Sequence, residues 1–198
     1  NEATAPVSVV LPNLAPGWGA SQLRLGVGQW ADPYVYRPDY PTTPLTLSLA
    51  HATSASSSPS SVEIPASSNI VYFRITGASI GVDTVTFTAA GHTPAIGAVT
   101  VGLGRVDGIG GWPTNLTTDS VAVTLYSRDM DGTGRNVSAA TTFDLAVSGG
   151  ALVVRSGGAA SSTVTSVTIP ANEASVTFYL RRVANGTSIV TFTNANYT

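Results

Sequence analysis

Residues 62–93 and 167–198 align at a constant offset of 105 without a gap, and this self-similarity constrains the fold more than any other feature. The two copies share Val62/Val167, Ile64/Ile169, Pro65/Pro170, Ala66/Ala171, Val71/Val176, Phe73/Phe178 and Gly81/Gly186. They also share the run Val85-Thr86-Phe87-Thr88 with Val190-Thr191-Phe192-Thr193, then Ala90/Ala195 and Thr93/Thr198. A period of 105 in a chain of 198 residues predicts two modules of ordinary sandwich size, each able to bury its own core. Within each copy the apolar residues recur every second position, as strands require: Val71, Phe73 and Ile75 share one face, and Val176, Phe178 and Leu180 take the equivalent places.

Composition supports an all-β chain. Apolar residues make up 43% and charged residues 10%, so the Glu, Lys and Leu that build long helices are scarce. Cysteine is absent, which excludes disulfides, and so is lysine, which excludes a Lys–Asn isopeptide crosslink. The formal charge is −2 and the nine arginines are scattered, with Arg181-Arg182 the one adjacent pair, so no nucleic-acid footprint is expected. No stretch approaches the roughly 18 apolar residues of a membrane span. The two histidines, His51 and His92, sit in no recognisable nucleophile or metal motif, and neither catalysis nor a cofactor is expected.

Along the chain, residues 1–12 read as an extended arm, bracketed by Pro6 and Pro12. Residues 13–103 form a first module. In it 22–25 and 45–49 alternate, a Pro/Tyr/Trp-rich insertion runs from about Gln29 to Pro44, and the serine-rich tract 53–61 reads as a polar loop. A glycine-dense hinge is expected over 104–111 and a second module over 112–198, with 121–126 its first strong strand. After Thr93 the first copy continues into the β-prone run 95–101, for which the second copy shows no counterpart after Thr198, so the second module is expected to lack its final strand.

Val121-Ala122-Val123-Thr124-Leu125, followed by Arg128-Asp129-Met130-Asp131-Gly132-Thr133-Gly134-Arg135-Asn136-Val137, resembles the strand and Asp-x-x-Gly turn of bacterial immunoglobulin-like repeats in surface adhesins and invasin-like proteins. The Ile-Pro turns, the glycine ahead of each Val-Thr-Phe strand and the segment Gly91-His92-Thr93-Pro94-Ala95 resemble the same group. The likeness covers most of 113–198 and about half of the first module. It implies two tandem immunoglobulin-like β-sandwiches in a secreted or cell-surface protein, used for spacing, display or adhesion, and it implies no chemistry.

Three constellations carry competing readings. The turn at 129–134 has the Asp-x-Asp-Gly pattern of a calcium loop, yet no further acid follows until Asp144, and a tight hairpin turn is the favoured reading. Trp18, Trp30, Tyr34, Tyr36 and Tyr40 could form a stacking platform for glycans, or instead seal the end of the sandwich or an intersubunit contact. Four sequons, at Asn115, Asn136, Asn185 and Asn196, are candidate glycosylation sites.

The arm supplies a functional expectation. In residues 4–12 the candidate assembly strand comprises Val7, Val9, Val10 and Leu11, with Val7, Val9 and Leu11 on one face. Donated to another copy, it would complete an acceptor core of Val176, Phe178, Leu180, Val190 and Phe192, giving an extracellular filament assembled head to tail. The partner is then a further copy of the chain. The alternative is a stretch of a multi-repeat adhesin in which the next residues of the same polypeptide fill the slot, with glycan binding through the aromatic segment compatible with either.

Overall fold

The computed structural model describes residues 12–18, 22–38, 42–110, 113, 115–158 and 161–198. The candidate assembly strand Val7, Val9, Val10 and Leu11, and Tyr40, lie outside the described residues. Among the described residues there is no helix.

The first half contains β1 (Ala15–Pro16), β2 (Leu23–Gly26), β3 (Gln29–Ala31), β4 (Tyr34–Tyr36), β5 (Leu45–His51), β6 (Ser56–Ser57), β7 (Ser61–Ile64), β8 (Ile70–Tyr72), β9 (Ile75–Gly77), β10 (Gly81–Thr88) and β11 (Ala95–Gly102). The second contains β12 (Arg105–Gly110), β13 (Ser120–Arg128), β14 (Asn136–Val137), β15 (Thr141–Ser148), β16 (Leu152–Arg155), β17 (Ser166–Ile169), β18 (Ser175–Arg182) and β19 (Ile189–Thr193). A five-stranded sheet, β2-β11-β10-β5-β7, and the short sheets β1-β4-β8 and β3-β9-β6 enclose one core containing Leu25, Val35, Leu47, Ile64, Phe87 and Val99; β14 joins the last of these at β3, while its Val137 belongs to the other core. The sheets β12-β13-β18-β16 and β17-β15-β19 enclose another containing Leu125, Phe143, Ile169, Phe178 and Leu180. Alternating apolar residues produce both cores, because one face of each strand is turned inward.

The repeat is visible in strand register. Val35 stands opposite Val71 as Leu125 stands opposite Val176, and Trp30 opposite Thr76 as Ser120 opposite Arg181. Residues 29–36 are therefore no insertion; they are the counterpart of β13. Pro33, which has no N–H to give a ladder, divides them into β3 and β4. Their partner divides in the same place, so the single strand expected around 71–75 is β8 and β9, joined across the gap by the Phe73 N–H donating to the Pro33 carbonyl at 3.0 Å.

Two further expectations change. The serine-rich tract is not simply a loop, since Ala55 and Ser56 are buried and β6 pairs with β9. The expected hinge at 104–111 holds β12, which pairs with β13 through Arg105/Arg128, Val106/Ser127 and Asp107/Tyr126. Glycine content pointed to slack, but the backbone there is engaged: Gly104 N–H donates to the Asn196 carbonyl at 2.8 Å and Val106 N–H to that of Thr198 at 3.1 Å.

Candidate functional site

β10 and β19 are equivalent strands with different surroundings. β10 lies between β11 and β5, whereas among the described strands β19 pairs with β15 alone. Burial follows. Val85 and Phe87 are 0% exposed, while Val190 and Phe192 are half-buried; Leu49 is buried and its counterpart Leu145 half-buried. All five expected acceptor residues belong to the second core: Phe178 and Leu180 are buried in it, and Val176, Val190 and Phe192 pack against it. A cleft of about 660 Å³ opens beside the start of β19, lined by Ala151, Leu180, Arg182, Gly186, Thr187 and Ser188. In the first half the corresponding place beside Gly81, Val82 and Asp83 is filled by Val101, Thr100 and Val99 of β11. Sequons Asn115 and Asn185 border this cleft and are exposed, as is Asn196, whereas Asn136 is half-buried within β14.

The halves meet at a polar joint that sequence reasoning missed. Gln29 is 0% exposed. Its Oε1 accepts the Gly26 N–H at 2.7 Å, and its Nε2 donates to Ser127 Oγ at 2.9 Å and the Arg128 carbonyl at 2.8 Å. The Tyr197 hydroxyl lies 2.9 Å from Ser127 Oγ. Around this centre β14 pairs with β3, Arg24 bridges to Asp131 at 3.1 Å, and Arg74 donates to Asn172 Oδ1 at 3.1 Å. Met130 fits against Gly102, where an added Cβ would lie 2.2 Å from its sulfur.

The aromatic residues divide. Trp18 packs on the first core against Phe73 and Phe87 and donates to the Ala98 carbonyl at 3.1 Å. Trp30 carries the Arg74 guanidinium 3.4 Å from its ring centroid. Trp18, Trp30 and Tyr34 join Tyr72 in lining a cleft of about 520 Å³ together with Arg135 and Asn136; Tyr36 is not among its lining residues.

At the edge of the first half, Asp83 is 1% exposed and accepts from Ser56 Oγ at 2.6 Å and from the amides of Thr53 and Thr84 at 2.9 and 2.8 Å. His51 Nδ1 lies 2.7 Å from Asp83 Oδ2, and His51 Nε2 lies 2.8 Å from Ser58 Oγ. Burial alone would raise the Asp83 pKa, but the hydrogen bonds from Ser56, His51, Thr53 and Thr84 outweigh it and hold the carboxyl well below the usual range. The Ser–His–Asp order is that of an acyl-transfer triad. Here Ser58 Oγ also reaches the Pro59 carbonyl at 3.1 Å, and the carboxylate is shared with Ser56 and two backbone amides, so the group works as a clasp holding β6 and its flanks to β5 and β10.

The turn at 129–134 is closed by its own carboxylate. Asp129 Oδ1 accepts from the amides of Asp131 and Thr133, Oδ2 accepts from Arg135 Nε at 2.8 Å, and Gly132 takes φ 83°. Those donors occupy the oxygens that a calcium ion would use.

No protein-family model matches the chain, and no curated protein matches it in sequence. Among solved structures, domains 5–6 of the S-layer protein SbsC are 15% identical, with 91% of this chain and 90% of that one covered and a TM-score of 0.39. A longer chain of the same S-layer protein is 16% identical with a TM-score of 0.41, and this chain spans 98% of itself but 27% of that length. The D0-D1 domain of intimin is 10% identical, with 95% and 94% covered and a TM-score of 0.35. At such scores none of them transfers a substrate, a partner or a function to this chain.

Proposed function

We propose that this chain, built as two tandem immunoglobulin-like modules, is a structural subunit of an extracellular bacterial filament assembled by strand donation, residues 4–12 of one copy entering the slot beside β19 of another. The observation that carries the reading is the contrast between β10, flanked on both sides, and β19, flanked by β15 alone among the described strands. An exposed sheet edge invites a further strand, and main-chain bonds with alternate side chains would hold it. Burying Val7, Val9 and Leu11 contributes at most roughly 5–9 kcal/mol before ordering costs. That is comparable to the whole stability of a small domain. The extracellular setting is supported by the adhesin-like repeat pattern at 121–137. The role assigned is mechanical, with no catalytic step and no cofactor.

A second reading places the same strand within one long multi-repeat adhesin, and the tight connection favours it: β11 ends at Gly102 and β12 starts at Arg105. Glycan contact in the cleft of Trp30, Tyr34 and Tyr72 fits either reading, and loss of glycan-array signal on Trp30→Ala is its test. Electron microscopy of the 198-residue chain beside a variant lacking residues 1–12 separates the main readings. Fibres from the full chain alone support donation between copies; monomers from both support the long adhesin.

A further inference from the structure

Four backbone hydrogen bonds set a second repeat offset. Thr93 N–H donates to the Pro12 carbonyl at 3.0 Å, and the Leu14 N–H to that of Thr93 at 3.4 Å. In the second half Thr198 N–H donates to the Gly104 carbonyl at 2.9 Å, and the Val106 N–H to that of Thr198 at 3.1 Å. Thr93 and Thr198 are equivalent, so Pro12 and Leu14 stand where Gly104 and Val106 stand, 92 residues apart. Carried backwards, this offset lays residues 3–11, Ala-Thr-Ala-Pro-Val-Ser-Val-Val-Leu, on residues 95–103, Ala-Ile-Gly-Ala-Val-Thr-Val-Gly-Leu. Ala3/Ala95, Val7/Val99, Val9/Val101 and Leu11/Leu103 are identical, and Ser8/Thr100 keeps a hydroxyl. The segment ahead of Pro12 thus resembles β11 at its inward valines, and β11 is the strand for which β19 has no described equivalent.

We infer that residues 3–11 of a second copy seat beside β19 in the register that β11 keeps beside β10, with Val9 opposite Gly186, Ser8 opposite Thr187, Val7 opposite Ser188 and Ala5 opposite Val190. This rests on the strand-donation reading and fixes which residues meet. The register transfers the pairs Val101/Gly81, Thr100/Val82, Val99/Asp83 and Gly97/Val85. Val99 and Val101 are 0% and 2% exposed, so Val7 and Val9 take the inward places. Pro6 falls where Ala98 stands. The Ala98 carbonyl accepts from Trp18 Nε1, and that of Thr84, across from it, accepts the Ala52 N–H on the side of β5. Residues at this pair turn their amides away from each other, so a proline there removes no ladder bond. In this register the two residues after it, Val7 and Ser8, would take the inward and outward places of Val99 and Thr100 and keep the alternation of β11.

The chain has no cysteine, so single-cysteine variants report register cleanly. Ser8→Cys chains are mixed with Thr187→Cys chains, or with Ile189→Cys chains, under conditions in which the full chain assembles, and treated with a short thiol–thiol crosslinker. Thr187 and Ile189 are both exposed, so neither change opens the core. The expected result is a crosslinked pair from Ser8→Cys with Thr187→Cys at least fivefold above that from Ser8→Cys with Ile189→Cys. Preference for Ile189→Cys overturns the register and leaves donation standing. Assembly without crosslinking of either pair, or a chain that stays monomeric, overturns donation itself, and the register with it.

Discussion

Ser67 and Asn172 hold the same left-handed turn position in the two halves, with φ of 60° and 64°. Each follows a Pro-Ala pair, and each turn is closed alike, Ser68 N–H to the Pro65 carbonyl and Glu173 N–H to the Pro170 carbonyl, both at 3.1 Å. Backbone conformation has been kept where the side chain has diverged. A left-handed L-residue costs about 1–2 kcal/mol, less for Asn than for Ser.

Ser67→Gly should therefore stabilise the chain by about 0.5 kcal/mol, the relief of strain exceeding the added freedom of the unfolded state. Asn172→Gly should gain nothing, because it removes the acceptor of Arg74. Calorimetric melting temperatures check the pair: a rise for Ser67→Gly and none for Asn172→Gly.

What was legible in the sequence followed from alternation and from the repeat. Phe73, Ile75, Phe178 and Leu180 are buried as alternation placed them. Pro33 concealed β3 and β4, because one missing amide breaks a strand into pieces too short to show a period. The clasp of His51, Ser56 and Asp83 is spread over 33 positions, and the Gln29–Ser127 contact spans 98, so neither leaves a local pattern. Among the described strands β19 pairs with β15 alone where β10 has two neighbours, and this difference between two copies of one pattern is the kind that a repeat makes legible.

Gln29 holds the joint through polar contacts sealed from water. Gln29→Leu keeps the volume but strands the Gly26 N–H and the Arg128 carbonyl, each orphan costing about 1–3 kcal/mol. The expected loss is about 3 kcal/mol in urea denaturation. A loss under about 0.5 kcal/mol would show that the joint is held elsewhere.

Asp83 should dominate the acid limb of stability. Its folded pKa lies below that of an unfolded aspartate, about 3.9, so its stabilisation is complete at neutral pH and is lost as pH falls through about 4 toward the folded value. Asp83→Asn should lower the melting temperature at pH 7 and flatten its decline between pH 5 and pH 2.5. An acid limb as steep as that of the parent chain would assign the loss to other carboxylates.

Phe87 and Phe192 test directly whether β19 takes a further neighbour. Both occupy the third position of a Val-Thr-Phe-Thr run, and both lie within 5.7 Å of a second phenylalanine ring, Phe73 at 5.6 Å and Phe178 at 5.7 Å. Phe87 is 0% exposed, so Phe87→Ala forfeits a full transfer and leaves a cavity, costing about 3–5 kcal/mol. Phe192 is half-buried in the single chain, so Phe192→Ala should cost about half as much in dilute monomer. If a strand closes over it, the deficit must reappear in assembly. Phe192→Ala should then weaken association at least tenfold by sedimentation, since about 1.4 kcal/mol of lost burial is one factor of ten. Equal costs for the two substitutions in the monomer, with association unchanged, would mean that the chain itself already covers Phe192 and that β19 awaits no partner.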